Sequence, residues 1–293
     1  MVTKILHYDA FTDKPGMGNP AGIVPHAGNL SEKQMLAIAA AVGFNETAFI
    51  IPSDKADLRL RFFTPGHETD LCGHATVATL FMMKERGILG AGIIRIETAA
   101  GILPVSIEQG SARAMIGMQQ AEYREERFSG SLSDLAASVS LSEDDLDSRY
   151  PVVFGSTGIW TLLLPVRHLE KFRSMKPDNA RFPEILIQKP RSSIHPFCLE
   201  TIHPEADMHG RHFSSPFSGT VEDPVTGTAS GAMGAYYRKH IRIPQENKDT
   251  IIVEQGQEIG KDGVIKVELP STQNNAVRIF GTAVFVREFW VKI

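Results

Sequence analysis

The spacing of apolar and polar residues predicts a chain of many short strands with a few helices between them. A helix is predicted over residues 30 to 42, where Ser31 and Gln34 have capping-box spacing and Gly43 is the expected C-cap. Apolar runs such as FNETAFII are typical of strands. The pattern therefore predicts a fold of the mixed α+β class.

Two further helices are predicted to be buried. Apolar residues from Ala75 to Met83 cover nearly the whole circumference of a helix that begins at Gly73. A helix that begins at Gly227 is rich in small residues. By contrast, residues 119 to 150 are polar and predict one or two surface helices at a domain junction.

The two halves of the chain share short internal echoes. GNPAGIVP, from Gly18, resembles GSTGIWTLLLP, from Gly155, and ETDLCGHAT resembles VEDPVTGTAS. In each half, one buried helix that starts at a glycine interrupts a strand-rich region. Such repetition predicts two domains of like topology rather than one undivided sheet.

Composition and charge exclude several classes of function. The 293 residues are 42% hydrophobic and 22% charged, which suits a globular protein with room for two domains. The net charge of −4 offers no basic field for a phosphate backbone, so no nucleic-acid partner is expected. We expect a cytoplasmic protein without a membrane partner, because no apolar run approaches a membrane span and no signal-peptide core is present.

The two glycine-led helix starts are candidates for anion binding. Free N–H groups and the positive end of the helix dipole at Gly73 and Gly227 attract a carboxylate, and glycine lets a ligand approach the backbone closely. Alternatively, these glycines only permit tight turns.

Three titratable residues accompany these helix starts. Glu46 lies among apolar residues, which favour the neutral carboxyl that a proton carrier needs, although glutamate is usually exposed. Asp223 precedes Pro224 and either caps the turn or binds a substrate group. His74 either donates from its ring to a ligand or closes its helix start.

Cysteines and the other histidines offer weaker signals. A Cys72–His74 nucleophilic dyad is disfavoured because residues two apart do not face one another on a helix. The segment from residue 195 to 212 contains four histidines and Cys198. Their spacing matches no zinc motif, so the segment is predicted to be a solvated loop rather than a metal site. The four histidines are His195, His203, His209 and His212. Motifs for nucleotide binding or zinc peptidases are missing from the sequence.

Four motifs in order resemble one known family. They are DAFTDKPGMGNPAGIV, FNETAFI, FFTPGHETDLCGHATVAT and VEDPVTGTASGAMGAY. Together they resemble the phenazine-biosynthesis (PhzF-like) isomerase family, related to diaminopimelate epimerase, over essentially the whole chain. The resemblance implies a diaminopimelate epimerase-like fold of two pseudo-symmetric domains, each a β-barrel-like sheet around a central helix, with the active site between them. We expect domains at 1–118 and 119–283, with a C-terminal strand, 284–293, returning to the first.

The resemblance also implies residue roles. One glutamate of the family's phenazine enzyme moves a proton on a cyclic amino-hydroxy acid, and Glu46 matches that glutamate. His74 and Asp223 match residues that contact the substrate. The expected substrate-binding positions are Gly73, Gly227, Thr228 and Asn19. The epimerase relatives use two thiols instead; Cys72 stands where one thiol is expected and Thr226, a poor base, where the other is expected.

The sequence thus predicts an isomerase of a small carboxylated molecule. Glu46 removes a proton and returns it elsewhere on the same face, while the helix starts hold the carboxylate and the developing anion. No metal or organic cofactor is expected. The alternatives are a Cys72-dependent racemase or epimerase, with Glu46 or Asp223 as second base, and a non-catalytic binding protein of the same fold. A homodimer is expected by family analogy, and membership does not imply phenazine production.

Overall fold

The computed structural model describes residues 1–110, 112–242, 249–269 and 277–293. The strands in these ranges are β1 (Val2–Ala10), β2 (Asn19–Val24), β3 (Glu46–Ile51), β4 (Leu58–Phe63), β5 (Glu68–Thr69), β6 (Gly92–Thr98), β7 (Gly101–Gln109), β8 (Ala114–Gln119), β9 (Arg124–Arg127), β10 (Val153–Ser156), β11 (Trp160–Pro165), β12 (Ser193–Cys198), β13 (Met208–Gly210), β14 (His212–Phe213), β15 (Glu222–Asp223), β16 (Thr250–Gln255), β17 (Gly263–Glu268), β18 (Arg278–Gly281) and β19 (Ala283–Lys292).

The α-helices are α1 (Glu32–Val42), α2 (Gly73–Glu85), α3 (Leu132–Ala137), α4 (Phe182–Ile185) and α5 (Gly227–Tyr236). Short 3₁₀ helices cover Glu143–Asp145, Leu169–Ser174, Asn179–Arg181 and Gln257–Ile259, and a π-helical turn, Tyr237–Ile241, follows α5. Within the described ranges, no helix is both long and apolar enough to cross a membrane.

The chain divides into two compact units. Unit 1 comprises Met1–Met118 and Phe280–Ile293, and unit 2 comprises Gln119–Ile279. In unit 1, β1 pairs antiparallel with both β2 and β19, and β2 pairs parallel with β3. β3 then pairs antiparallel with β4, β4 pairs parallel with β6, and β6 pairs antiparallel with β7.

Unit 2 repeats this order of pairings. β10 pairs antiparallel with β11, β11 parallel with β12, and β12 antiparallel with β13 and β14. β13 then pairs parallel with β16, and β16 antiparallel with β17. α2 follows β5 and precedes β6, as α5 follows β15 and precedes β16. The two sequence echoes fall on equivalent elements: the first on β2 and β11, the second on the starts of α2 and α5.

Among the residues that the structure describes, each unit holds one buried helix, as the sequence patterns predict. Every residue of α2 from His74 to Met83 is buried, and the helix packs against β1, β2, β3, β7 and β19. In α5 every residue from Ala229 to Tyr236 is buried, and the helix packs against β10 and β17. A helix enclosed by strands needs no polar face, which explains the missing amphipathic pattern.

The predicted end of α1 is confirmed. Ser31 and Gln34 form the expected capping box, and Gly43 ends the helix with a left-handed backbone, φ 74°. The prediction of surface helices over residues 119 to 150 is only partly right. That stretch forms strand β9, the short helix α3 and a 3₁₀ turn, and Leu135 in α3 is fully buried.

The prediction of a solvated, histidine-rich loop is wrong. His195 lies in β12 and His209 in β13, and both are fully buried. All six residues of β12 are buried. A strand buried on both faces loses the alternation that marks half-exposed strands, so its polar residues were mistaken for loop residues.

Candidate active site

Glu46 stands at the beginning of β3. It pairs with Ala21 of the parallel strand β2, and the next three residues of β3 are buried. The Glu46 side chain itself retains 23% of its exposure. The carboxyl group therefore lies at the edge of an apolar core, where a small molecule can reach it.

His74, in the first turn of α2, lies next to Glu46. Its Nε2 is 3.4 Å from Glu46 Oε2. Burial lowers the pKa of His74 to about 4, and a hydrogen bond to the backbone carbonyl of Pro20 offsets only part of this effect. The ring is therefore neutral at neutral pH, and its contact with Glu46 is not an ion pair under those conditions.

Cys72 also contacts His74, contrary to the prediction from helical spacing. Its Sγ is 3.3 Å from His74 Nδ1 and 3.8 Å from Nε2. The prediction was wrong because Cys72 is the N-cap of α2 and has an extended backbone, φ −133° and ψ 115°, so the periodicity of the helix does not apply to it. Ligand atoms of Glu46, Cys72 and His74 lie within 4.8 Å of one another. We call these three residues the Glu46 cluster.

The turn before β2 brings the backbone of β2 to the Glu46 cluster. Gly18 adopts φ +62°, and a Cβ at this position would lie 2.2 Å from the Ala10 carbonyl oxygen, so only glycine fits. Asn19 follows as the first residue of β2 and is fully buried. The backbone of the next residue, Pro20, partly offsets the effect of burial on the pKa of His74.

Asp223 belongs to a second group of polar residues, which lies in unit 2. The Thr226 hydroxyl donates to Asp223 Oδ2 at 2.5 Å. Gln255, at the end of β16, accepts from the backbone N–H of Thr226 at 3.2 Å and donates to the Asp223 carbonyl at 2.8 Å. Its Nε2 also donates to Thr226 Oγ1 at 3.2 Å. Gln255 was missed by sequence reasoning, since no motif marks a glutamine whose partners lie about 30 residues earlier in the chain.

The two glycine-led helix starts have the same kind of N-cap. Within the described residues, neither Cys72 before α2 nor Thr226 before α5 forms a side-chain cap. Gly73, Gly227 and Thr228 are each only partly buried. Both helix starts thus keep the character of an anion site, and their role in binding a carboxylate stays a prediction.

The structure arranges the predicted site residues as two sets, one in each unit. Unit 1 holds Glu46, His74, Gly73 and Asn19. Unit 2 holds Asp223, Gly227 and Thr228. Cys72, which was predicted only for the alternative mechanism, joins the first set by direct contact with His74.

The buried histidines of unit 2 form a separate polar network. His209 Nδ1 lies 2.8 Å from Glu254, and its Nε2 lies 3.0 Å from Glu258. Burial lowers the pKa of His209, but the hydrogen bonds to the two carboxylates outweigh it and raise the pKa above its usual value. His195 contacts His212 at 3.2 Å, and burial lowers the pKa of both. With both ring nitrogens engaged by carboxylates, His209 serves the packing of β13 against β16.

Comparisons with known proteins agree with this fold. A family model described as "Phenazine biosynthesis-like protein" matches residues 8–289. The "Uncharacterized isomerase YfhB" of Bacillus subtilis is 49% identical over 292 residues, which cover 99% of both chains. The crystal structure of a Bacillus anthracis phenazine biosynthesis protein of the PhzF family is also 49% identical, with a TM-score of 0.96 over 100% of both chains.

A structure of much lower sequence identity has a similar fold. A probable proline racemase from Agrobacterium radiobacter has a TM-score of 0.62 at 12% identity, over 99% of this chain and 93% of its own. The fold is therefore the α+β, epimerase-like fold predicted from the sequence. Because the Bacillus subtilis relative at 49% identity is named an isomerase, the protein is an enzyme of the isomerase type. The chain belongs to the phenazine-biosynthesis-like, or PhzF, family.

Proposed function

We propose that this enzyme moves one proton on a small carboxylated molecule, with Glu46 as the group that removes the proton and returns it. The observation that carries this proposal is the position of Glu46: a partly exposed carboxyl group beside the neutral ring of His74, 3.4 Å away. A general base must be accessible and must not be held in its ionised form by a fixed cation. Glu46 is accessible, and its contact with the neutral ring of His74 adds no positive charge.

The neutral state of His74 matters for the proposed proton transfer. An imidazolium at 3.4 Å would stabilise the Glu46 carboxylate and make it a weaker base. A neutral ring offers Glu46 a hydrogen-bond partner without that charge. Glu46 then takes a proton from a carbon next to a carbonyl or unsaturated system, and the same carboxyl group delivers it elsewhere on the same face of the substrate.

Substrate binding is assigned to the helix starts. The N–H groups at Gly73 and at Gly227 and Thr228 are proposed to bind the carboxylate and the developing anion, as helix N-termini generally do. Asp223 and Asn19 are proposed to orient polar groups of the substrate. The Thr226 hydroxyl and the side chain of Gln255 fix the turn that carries Asp223, which supports such an orienting role.

The test is proton exchange with solvent. A screen of small amino and hydroxy acids in D₂O identifies a substrate by deuterium incorporation, and single-turnover exchange is then measured for variants. Glu46→Gln should lose about 10²- to 10⁴-fold in rate, the usual scale for one general acid or base, while ligand binding persists. Cys72→Ser should lose much less. The matched control is Cys198→Ser, since Cys198 is a buried thiol of unit 2.

The contact between Cys72 and His74 favours a second candidate function. With Sγ at 3.3 Å from Nδ1, Cys72 is placed to pass its proton to the ring and act as the base of a racemase or epimerase. In that case the order of the variants reverses: Cys72→Ser is crippled and Glu46→Gln is active. A binding protein without catalysis shows no exchange with any compound, yet retains its ligand in all the variants.

A further inference from the structure

The Glu46 cluster brings together three side chains that zinc prefers as ligands. Tetrahedral zinc with bonds of about 2.0–2.3 Å has ligand atoms roughly 3.3–3.8 Å apart. His74 Nε2 lies 3.4 Å from Glu46 Oε2 and 3.8 Å from Cys72 Sγ. Because the remaining pair lies within 4.8 Å, a movement of about 1 Å by the partly exposed Glu46 carboxyl completes the arrangement.

The chemistry of these donors selects the metal. A thiol, an imidazole and a carboxyl group together suit zinc, whereas magnesium and calcium require oxygen ligands. The backbone of Pro20 also hydrogen-bonds the ring of His74. A hydrogen bond from the ring to a backbone carbonyl is typical of histidines that bind metals, because it fixes the orientation of the ring.

We propose that Glu46, Cys72 and His74 bind Zn²⁺ and that the bound ion inhibits the enzyme by taking the place of the substrate. The inhibition rests on the proposed function, whereas the binding does not. On binding, the S–H bond of Cys72 breaks, an S–Zn bond forms and the proton passes to the buffer. A water molecule takes the fourth position, and Glu46 is no longer able to accept a substrate proton.

Cobalt serves as the visible probe, because Zn²⁺ itself has no d–d spectrum. Addition of Co²⁺ to the metal-free protein should produce a thiolate-to-cobalt charge-transfer band and the intense visible bands of tetrahedral cobalt, and one equivalent of Zn²⁺ should remove them. Cys72→Ser should abolish the charge-transfer band. Both Cys72→Ser and Glu46→Gln should weaken Zn²⁺ binding more than tenfold, since loss of an outer-sphere partner alone costs about 10- to 100-fold.

Two control variants separate this site from adventitious ones. Cys198→Ser changes the other buried thiol, and His203→Gln changes a partly exposed histidine paired with Asp262 at 2.8 Å. Both should bind Co²⁺ as the wild type does. Bands that survive in Cys72→Ser and Glu46→Gln, or that disappear in either control, overturn the proposed site. If Cys72→Ser does not fold, the Glu46→Gln titration decides.

The inhibition has its own readout. Zn²⁺ should slow proton exchange by the wild type competitively with the substrate, and a chelator should restore the rate. Zinc that binds at the Glu46 cluster without slowing exchange overturns the inhibition. An inactive Glu46→Gln enzyme combined with no Zn²⁺ binding by the wild type defeats the zinc site and leaves the proposed function intact. Tight Zn²⁺ binding beside an active Glu46→Gln enzyme defeats the one-base function and leaves the site intact.

Discussion

At the scale of single residues, the burial of His74 determines the charge of its own ring within the Glu46 cluster. Its pKa lies near 4, below the ordinary value of 6.5, so the ring is neutral throughout the range in which enzymes usually work. The depressed value has a consequence for stability. Between pH 6.5 and 4 the unfolded chain binds a proton at His74 that the folded chain does not bind, and acid therefore favours unfolding.

This linkage predicts how His74→Gln changes the response to acid. Gln cannot titrate, so only the wild type responds to pH at this position. The free energy of unfolding of the wild type minus that of the variant should be highest above pH 6.5 and should fall by about 3 kcal/mol as the pH drops to 4. Urea unfolding of both proteins across this range measures the difference. An NMR titration of the histidine rings supplies the direct check: His74 should stay neutral at pH 5. A titration midpoint near 6.5 for His74, or a difference that does not change with pH, contradicts the prediction.

Some residues of the candidate site could be predicted from the sequence, and others could not. Glu46 and His74 emerged because they lie in motifs that resemble those of a family, and the structure does place them in contact. The contact between Cys72 and His74 was rejected because a helical spacing was applied to an N-cap residue, whose extended backbone is a property of the turn. Gln255 acts through contacts between distant parts of the chain, which no local pattern records.

At the scale of elements, α5 shows why a buried helix is rich in small residues. A Cβ on Gly234 would lie 2.5 Å from Val267 Cγ1 and 3.3 Å from Val267 Cβ. Val267 lies in β17 and is fully buried, and its branched side chain has little freedom to rotate away. The glycine therefore lets the helix approach the strand closely.

We expect Gly234→Ala to destabilise the protein although alanine is the better helix former. The gain in helix propensity is about 1 kcal/mol, while overpacking of a rigid contact costs about 1–3 kcal/mol. Chemical denaturation should show a net loss of up to about 2 kcal/mol. In a Val267→Ala background the clash is relieved, so the same glycine substitution should be neutral or stabilising there. An equal loss in both backgrounds would show that packing against β17 is not the reason for the glycine.

Elements with local signals were predictable, and those set by tertiary burial were not. The caps of α1 follow from Ser31, Gln34 and Gly43 alone, and all three predictions are confirmed. Strands β12 and β13 escaped prediction because burial on both faces removes the alternation of polar and apolar residues. His209 of that segment is hydrogen-bonded to Glu254 of β16, and that partner cannot be inferred from the segment itself.

At the scale of the whole molecule, the two echoes in the sequence correspond to a repeated topology. Although few residues are shared, the parallel and antiparallel pairings follow the same order in both units. The echoes mark the second strand of each unit and the glycine that begins each buried helix. Elsewhere the units differ. The helix α1 lies between β2 and β3 of unit 1, whereas only short 3₁₀ and α-helical turns lie between β11 and β12 of unit 2.

Unit 1 is completed by the two ends of the chain. β19 pairs with β1 from Ala10↔Ala283 to Val2↔Lys292. Beyond that, the amino group of Met1 donates to the Ile293 carbonyl at 2.6 Å, and the N–H of Ile293 donates to the Met1 carbonyl at 3.0 Å. These two residues form the closely spaced pair that a two-residue hairpin turn can close, so an Asn-Gly linker would join them without distorting either strand.

We therefore propose that unit 1 folds alone when its two segments are joined in the order 280–293, Asn-Gly, 1–118. The permuted chain should give dispersed amide NMR signals and a cooperative urea transition, because β1 keeps β2 and β19 as neighbours and the buried face of α2 keeps its contact with β19. Residues 1–118 without β19 are the matched control. They should fail to fold, since the loss of β19 exposes the edge of β1 and removes the Phe285 ring from Tyr8, 5.4 Å away. A control chain that unfolds as cooperatively as the permuted one would show that β19 is dispensable to unit 1, and two chains that are both unfolded would show that unit 1 is not an independent folding unit.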